Sequence, residues 1–294
     1  SALKLAALSE EELFQRSKTR LEFAMSLGTG AIEIKSGYGL SYEQEIKILR
    51  VIKRLKEELK LPIRATFLGA HSYPLEYRSN HQGYIDILIN EMLPYIAANK
   101  LADYCDVFCE QGFFSPVETE QILLAALKFG IKPRIHTNQF THSGGIDIAL
   151  KHHAISVDHL EVLNDHEIQQ LLSSQTIPVC LPAAAFFMNL EFPPARKMIE
   201  SGLGVAIATD YNPGTSPSPD PTLSFALSCI KMRLLPEEVL TAMTINAAHA
   251  LELQDKVGSI EKGNFVKLDK PHYFRKDLTV FQTHYRILML LMRC

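Results

Sequence analysis

Hydrophobic and polar residues recur along this chain with two different periods. Short apolar runs rich in Val and Ile alternate with longer amphipathic segments, such as 42–59, where Ile48, Ile52 and Leu55 fall on one helical face. This alternation is typical of strands and helices in turn around a parallel sheet, so the sequence predicts an α/β fold. The predicted strands are 30–35, 63–69, 106–110, 133–137, 155–159, 177–181 and 205–210.

Two predicted helices begin with capping residues. Ser9 stands three residues before Glu12, the spacing of a capping box, and Ser115 precedes Pro116, a residue favoured in the first helical turn. The first predicted helix, 10–27, has no strand before it, so the chain offers seven strand units, one fewer than a closed barrel needs. The sequence therefore predicts a (β/α)8 TIM-type barrel that lacks its first strand and has unpaired strand edges on both sides of the gap.

Composition narrows the class of protein. The chain has 294 residues, 47% hydrophobic and 21% charged, so it can bury the core of one large domain. Its net charge is −3 and its Lys and Arg residues are scattered singly, which argues against a nucleic-acid partner and favours a small-molecule substrate. Because it has no apolar run of about 18 to 20 residues and no signal-peptide pattern, we expect no membrane partner and a cytoplasmic location.

The five cysteines do not predict a disulfide framework. Their number is odd, and Cys105, Cys109 and Cys180 lie in apolar, strand-like runs, which favours reduced and buried thiols. Cys105 and Cys109 are spaced so that they could bind a metal ion, but no second cysteine pair or downstream HxxxH completes a zinc module. Buried thiols are therefore the favoured interpretation.

Polar side chains gather at the predicted carboxyl ends of the strands, where a barrel carries its active site. Three of them, His136, His159 and Asp210, are ligand types that suit zinc or iron(II). A lone histidine at a strand end more often donates to a backbone carbonyl, but three such residues on separate strands favour a metal site. Two interpretations stay open for His71 and Tyr38. Each could end a strand by packing its ring and exposing its polar atom, or it could contact a ligand.

The loop after the last predicted strand is polar and contains glycine. Its residues are Asp210, Tyr211, Asn212, Pro213, Gly214, Thr215 and Ser216. Turn chemistry alone would explain this composition. The position of the loop directly after an apolar strand favours the binding of a polar substrate, because carboxylate, amide and hydroxyl groups stand beside a residue that permits close backbone approach.

Six motifs, in order along the chain, resemble those of imidazolonepropionases, which are metal-dependent amidohydrolases. They are 31–40 (AIEIKSGYGL), 66–77 (TFLGAHSYPLEY), 106–115 (DVFCEQGFFS), 134–139 (RIHTNQ), 156–161 (SVDHLE) and 205–216 (VAIATDYNPGTS). The resemblance extends from about residue 9 to about residue 263.

The resemblance implies that one divalent metal ion, zinc or iron(II), assists the hydrolysis of 4-imidazolone-5-propanoate to N-formimidoyl-L-glutamate in histidine degradation. His136 and Asp210 match metal ligands. Asp210 would also take a proton from the attacking water, and His159, with His71, would act on the substrate carbonyl, so these three are the implied catalytic residues. The positions that match substrate contacts are Tyr38, His71, Gln139, Asn212, Gly214 and Thr215.

Relatives in this family also carry an HxH ligand pair on their first barrel strand and a small β-sandwich domain made from both chain ends. We therefore expect an amidohydrolase barrel over 1–263, an aberrant tail over 264–294 in place of β-sandwich strands, and little turnover from residues 1–294 alone. The resemblance further implies a homodimer. Two alternatives stay open: another cyclic-amide hydrolase or deaminase of the same superfamily, and a non-catalytic remnant that at most binds a ligand or another subunit.

Overall fold

Eight parallel strands form one sheet in the computed structural model, which describes residues 2–262, 264 and 288–293. Seven of them confirm the strands predicted from the sequence. The strands are β1 (Thr29–Lys35), β2 (Ile63–Ala70), β3 (Tyr104–Cys109), β4 (Lys132–Thr137), β5 (Ser156–His159), β6 (Ile177–Cys180), β7 (Ala206–Ile207) and β8 (Leu288–Arg293).

Helices connect the strands and cover the outside of the sheet. They are α1 (Ala2–Ala6), α2 (Glu10–Ser26), α3 (Tyr42–Glu58), α4 (His81–Ile87), α5 (Leu93–Ala98), α6 (Pro116–Leu127), α7 (Gly145–Lys151), α8 (Asp165–Leu172), α9 (Pro182–Phe187), α10 (Ala195–Glu200), α11 (Pro221–Ile230), α12 (Pro236–Met243) and α13 (Ile245–Ala250). A π-helical turn, Leu88–Met92, joins α4 to α5.

The helix boundaries follow from local chemistry. Ser9 and Ser115 each accept from the backbone N–H three residues later while the glutamate there bonds back, so both predicted helix starts are confirmed as capping boxes. In α3, Ile48, Ile52 and Leu55 are fully buried, as the predicted apolar face requires. Sequence-local signals therefore fix where these helices begin and which face they bury.

The strand order is β7-β6-β5-β4-β3-β2-β1-β8, and the sheet is strongly curled. In a flat sheet β1 and β5 would lie about 19 Å apart, since neighbouring strands are about 4.8 Å apart. Lys35 of β1 nevertheless has its Nζ 3.1 Å from Asp158 Oδ2 of β5. The inner faces of the strands therefore surround a common interior, as in a barrel.

The expected unpaired edge beside β1 is wrong for the described residues. β8 pairs with β1 in parallel, with Thr29 opposite Leu288 and Lys35 opposite Arg293. The sequence could not show this, because a pairing between residues far apart in the chain depends on register rather than on local pattern. Residues 265–287 of the predicted tail lie outside the described residues, and the domain boundary at 263 stays a prediction.

The last predicted strand, 205–210, is longer than the observed β7. Thr209 and Asp210 leave the sheet ladder because the chain turns here, with φ of +50° at Asp210 and an antiparallel bridge between Asn212 and Ser216. The predicted strand 106–110 likewise ends one residue early, since the N–H of Glu110 bonds to Phe114 in a turn. Both corrections fall at the carboxyl ends of the strands.

The cysteine expectation is confirmed for the described residues. Cys105, Cys109, Cys180 and Cys229 are free thiols, and the first three are buried. Burial raises the pKa of Cys105 and Cys180, which keeps these thiols protonated and unreactive. Among the described helices, none is long and apolar enough to cross a membrane.

Candidate active site

Aromatic and imidazole rings from four strand ends meet at the carboxyl edge of the sheet. Phe108 of β3 is in ring contact with His71, His136 and His159, at centroid distances of 5.9, 6.3 and 6.4 Å. His136 and His159 are themselves 5.2 Å apart. Histidines that are widely separated in the sequence thus share one buried patch, as the barrel fold predicts.

Tyr38 connects this patch to the loop that follows β7. Its ring lies 5.4 Å from that of His71, and its hydroxyl donates to Asn212 Oδ1 at 3.4 Å. Asn212 follows β7, at the far end of the strand order from the β1 loop that carries Tyr38. The structure therefore brings Tyr38, His71 and the loop after β7 together.

A network of buried charges lies beneath the histidines. Lys35 Nζ is 2.8 Å from Glu33 Oε1, 2.8 Å from Asp106 Oδ2 and 3.1 Å from Asp158 Oδ2, and all four side chains are inaccessible to solvent. Burial alone would lower the pKa of Lys35, but the three carboxylates raise it above its ordinary value. Lys35 is therefore a permanent cation at the centre of the sheet.

A second cation, Arg134, completes the network. Its Nη1 lies 3.1 Å from Glu33 Oε2, and its Nε donates to Ser156 Oγ, which in turn donates to Asp158. Burial would raise the pKa of Asp158, but Lys35 above all holds it below its ordinary value. Two cations thus face three carboxylates, which leaves one net negative charge beneath His136 and favours a further cation nearby.

Three of these side chains, Asp106, His136 and Asp158, lie close enough to share a metal ion. The carboxylates, however, already share the ammonium of Lys35, which would repel a divalent ion between them. We therefore read Asp106 as the partner of His136, whose Nδ1 lies 2.8 Å from its Oδ2. A carboxylate beside Nδ1 favours the proton on that nitrogen and leaves Nε2 as the acceptor, the usual arrangement in a metal-ligating histidine.

His159 and Asp210 occupy strained positions at strand ends. Both are buried and have positive φ, +87° for His159 and +50° for Asp210. His159 Nδ1 lies 3.5 Å from Glu161 Oε1, and Asp210 Oδ2 accepts from Asn212 Nδ2 at 3.2 Å. Such backbone conformations are uncommon outside glycine and cluster at functional sites, so they support a role for both residues.

The loop after β7 is organised by Asn212. Its Oδ1 accepts from the N–H groups of Gly214 and Thr215, at 2.9 and 2.7 Å, and its Nδ2 donates to the carbonyl of Asp210 at 2.7 Å. Asn212 is buried, so these bonds show a structural role in shaping the loop. The predicted substrate contacts of Asn212, Gly214 and Thr215 stay predictions.

Gln139 is held by a glutamate that sequence reasoning did not select. Glu110 is buried after β3, and its Oε2 accepts from the N–H groups of Gln139 and Phe140, both at 3.0 Å. The side-chain amide nitrogen of Gln139 donates to the thioether sulfur of Met188, directly after α9, at 3.6 Å. Gln139 therefore lies at the same edge of the sheet as the histidines, with its backbone fixed from β3.

Comparison with known proteins shows the protein family to which the chain belongs. Residues 117–267 match the model of the amidohydrolase family, which covers just over half of the chain. The fold agrees: an adenosine deaminase from Xanthomonas campestris, with bound zinc, has a TM-score of 0.64 at 17% identity, covering 89% of this chain and 62% of that chain. A guanine deaminase from C. acetobutylicum has a TM-score of 0.67 at 14% identity, covering 89% and 67%. The chain belongs to the amidohydrolase family.

Within that family its sequence is similar to imidazolonepropionases. The protein of Flavobacterium johnsoniae is 53% identical over 268 residues, which are 91% of this chain and 65% of that protein. The protein of Thermoanaerobacter pseudethanolicus is 43% identical over 255 residues, 87% of this chain and 61% of that protein. The chain thus spans a little under two thirds of the length of these relatives.

Proposed function

We propose that this chain forms the barrel of an imidazolonepropionase, which opens the ring of 4-imidazolone-5-propanoate with water to give N-formimidoyl-L-glutamate. The observation that carries the proposal is the 53% identity to a named imidazolonepropionase over 91% of the chain. The geometry supports it, because Tyr38, His71, His136 and His159 come from separate strand ends and meet around Phe108 or beside one another. A small-molecule substrate suits this largely buried edge, where rings and polar side chains from several strands converge.

A divalent metal ion follows from the amidohydrolase family, and the residues present fit one. The proposed ligands are His136, whose Nδ1 lies 2.8 Å from Asp106 Oδ2, and Asp210. An imidazole with a carboxylate suits zinc and iron(II) alike. When bound, such an ion would supply a more acidic water and a Lewis acid for the reaction. The net negative charge of the network below His136 supports cation binding at this place.

The remaining roles belong to the side chains of the chain itself. Asp210 accepts a proton from the attacking water, since its carboxylate is buried at the strand end and steadied by Asn212. His159 and His71 donate to the ring carbonyl as negative charge develops on its oxygen. Tyr38, Gln139, Asn212, Gly214 and Thr215 hold the substrate, with Tyr38 and His71 forming one wall. A homodimer and a cytoplasmic location complete the proposal.

The test is a ring-opening assay with the full-length protein. The ultraviolet absorbance of 4-imidazolone-5-propanoate should fall, and mass spectrometry should find N-formimidoyl-L-glutamate. His159→Gln should lower kcat by about 100- to 1000-fold, since that is the cost of removing one oxyanion donor. His153→Gln is the matched control, because His153 follows α7 and lies outside the ring patch.

Two alternative substrates test which reaction the enzyme prefers. Hydantoin-5-propanoate carries the same side chain on a different cyclic amide, and guanine tests for deamination. Faster turnover of either compound than of the imidazolone would replace the proposal with another amidohydrolase activity. Absence of turnover with all three would leave the non-catalytic alternative.

A further inference from the structure

A buried glutamate on α3 holds the loop that follows β1. Glu45 is inaccessible to solvent, and its carboxylate accepts from three N–H groups of the loop backbone. Gly37 N–H donates to Oε2 at 2.9 Å, while the N–H groups of Gly39 and Leu40 donate to Oε1 at 2.6 and 3.2 Å. A carboxylate that accepts several backbone N–H groups stabilises a loop strongly, because each bond involves a charged partner.

The conformation of the loop depends on this contact. Leu40 has a φ of +52°, a conformation that a non-glycine residue adopts only when its surroundings compensate, and Gly37 supplies a second positive φ of +112°. A Cβ on Gly39 would lie 2.7 Å from Glu45 Oε1, so the loop approaches the carboxylate as closely as a glycine allows. Burial raises the pKa of Glu45, and the Ser36 hydroxyl and the backbone donors oppose that rise.

Tyr38 lies between the anchored amides. Gly37 and Gly39 on either side of it are both bound to Glu45, so the Cα of Tyr38 is fixed from two directions. Its side chain then reaches the ring of His71 and the amide of Asn212. Both carboxylate oxygens of Glu45 accept from loop N–H groups, so its effect on the reaction passes through the loop.

We infer that Glu45 is a positioning residue, which sets Tyr38 against His71 for substrate binding. The inference deepens the proposed function and rests on it. Nothing in the motif pattern selects Glu45, because it lies on a helix that follows the loop rather than at a strand end. Its contribution is geometric. Three hydrogen bonds to Glu45 satisfy backbone N–H groups that no longer pair within the sheet once the chain leaves β1.

Hydrogen exchange tests the anchoring without any substrate. In Glu45→Gln, amide exchange in a peptide covering 36–42 should become about 10-fold faster or more, since an amide side chain provides only one oxygen for three donors. Glu43→Gln is the matched control, because Glu43 lies on the same helical turn but is exposed. Gly39→Ala gives an independent route, as it displaces the loop while the carboxylate stays intact. Unchanged exchange in both Glu45→Gln and Gly39→Ala would overturn the inference.

A double-mutant cycle with Tyr38→Phe tests the role in binding. If Glu45 acts through Tyr38, Glu45→Gln should raise KM more than it lowers kcat, and the double variant should be little worse than the more damaging single variant. A residue that only supports the fold would give additive losses and an unchanged KM, and that result would also overturn the inference. A wild-type protein inactive on the imidazolone would instead refute the proposed function, and the exchange experiment would then still decide the anchoring.

Discussion

Replacement of Lys35 by methionine should destabilise the protein much more than loss of a surface lysine. Methionine has nearly the same length but no charge, so Glu33, Asp106 and Asp158 would lose the ammonium that lies within 3.1 Å of each. Removing one partner from a buried ion pair costs about 3–5 kcal/mol, because the other charge stays buried and uncompensated. Glu33 keeps its ion pair with Arg134, at 3.1 Å.

This loss of folding free energy is large compared with the total stability of a domain, about 5–15 kcal/mol. It should also depend on pH. Burial raises the pKa of Asp158, and Lys35 is the main charge that opposes this rise. Without Lys35 the folded protein therefore binds protons more readily, and its stability falls as pH rises between about 4 and neutrality. The deficit of the variant should therefore shrink on mild acidification.

Urea unfolding followed by far-UV circular dichroism measures the effect, since the chain has no tryptophan to report it. Lys56→Met is the matched control: Lys56 pairs with Asp103 at 3.0 Å, but its side chain is 43% exposed. That surface pair should contribute at most about 1 kcal/mol. Equal losses in the two variants, or a Lys35→Met deficit that grows on acidification, would refute the reasoning.

Two further predictions concern other carboxylates. Asp106→Asn should weaken metal binding about 10- to 100-fold, measured by competition with a chelator, because it removes the negative charge beside His136 Nδ1. Unchanged affinity would exclude that role. Glu238→Gln should lower stability slightly at neutral pH, since Glu238 pairs with Arg196 at 2.7 and 2.8 Å, whereas Glu237→Gln should not. The hydrogen bond from Arg196 holds the pKa of Glu238 below its ordinary value. The stabilisation by this pair is therefore present above the unfolded-state pKa and is lost as pH falls through the folded-state pKa. A stability difference between the two variants that persisted in acid would count against the pair.

Local patterns predicted most of the fold. Apolar runs gave the seven strands of the barrel, and capping residues gave the helix starts, because both depend on neighbours within a few residues. The sequence did not predict the pairing of β8 with β1, although residues 287–292 form an apolar run. A run of that length shows only that a segment is apolar, and its partner is set by packing across the whole chain.

The buried charge network was also missed, although its signal is in the sequence. Glu33 and Lys35 are two residues apart in β1, and Arg134 and His136 are two apart in β4. Residues at that spacing in a strand share one face, so charged pairs within otherwise apolar runs point into the same interior. Which cation meets which carboxylate could not be read from the sequence, because it depends on the register and curl of the sheet.

Buried carboxylates explain how strained loops can hold a precise site. Asn138, His159 and Asp210 all have positive φ at the points where strands end. Loops in such conformations are costly in isolation, and in this barrel they are tied by groups from neighbouring elements, such as Glu110 to Gln139 and Glu45 to the loop around Tyr38. The side chains that would meet a substrate are therefore positioned by residues that never reach it, and substitutions in this supporting layer should alter binding before they unfold the barrel.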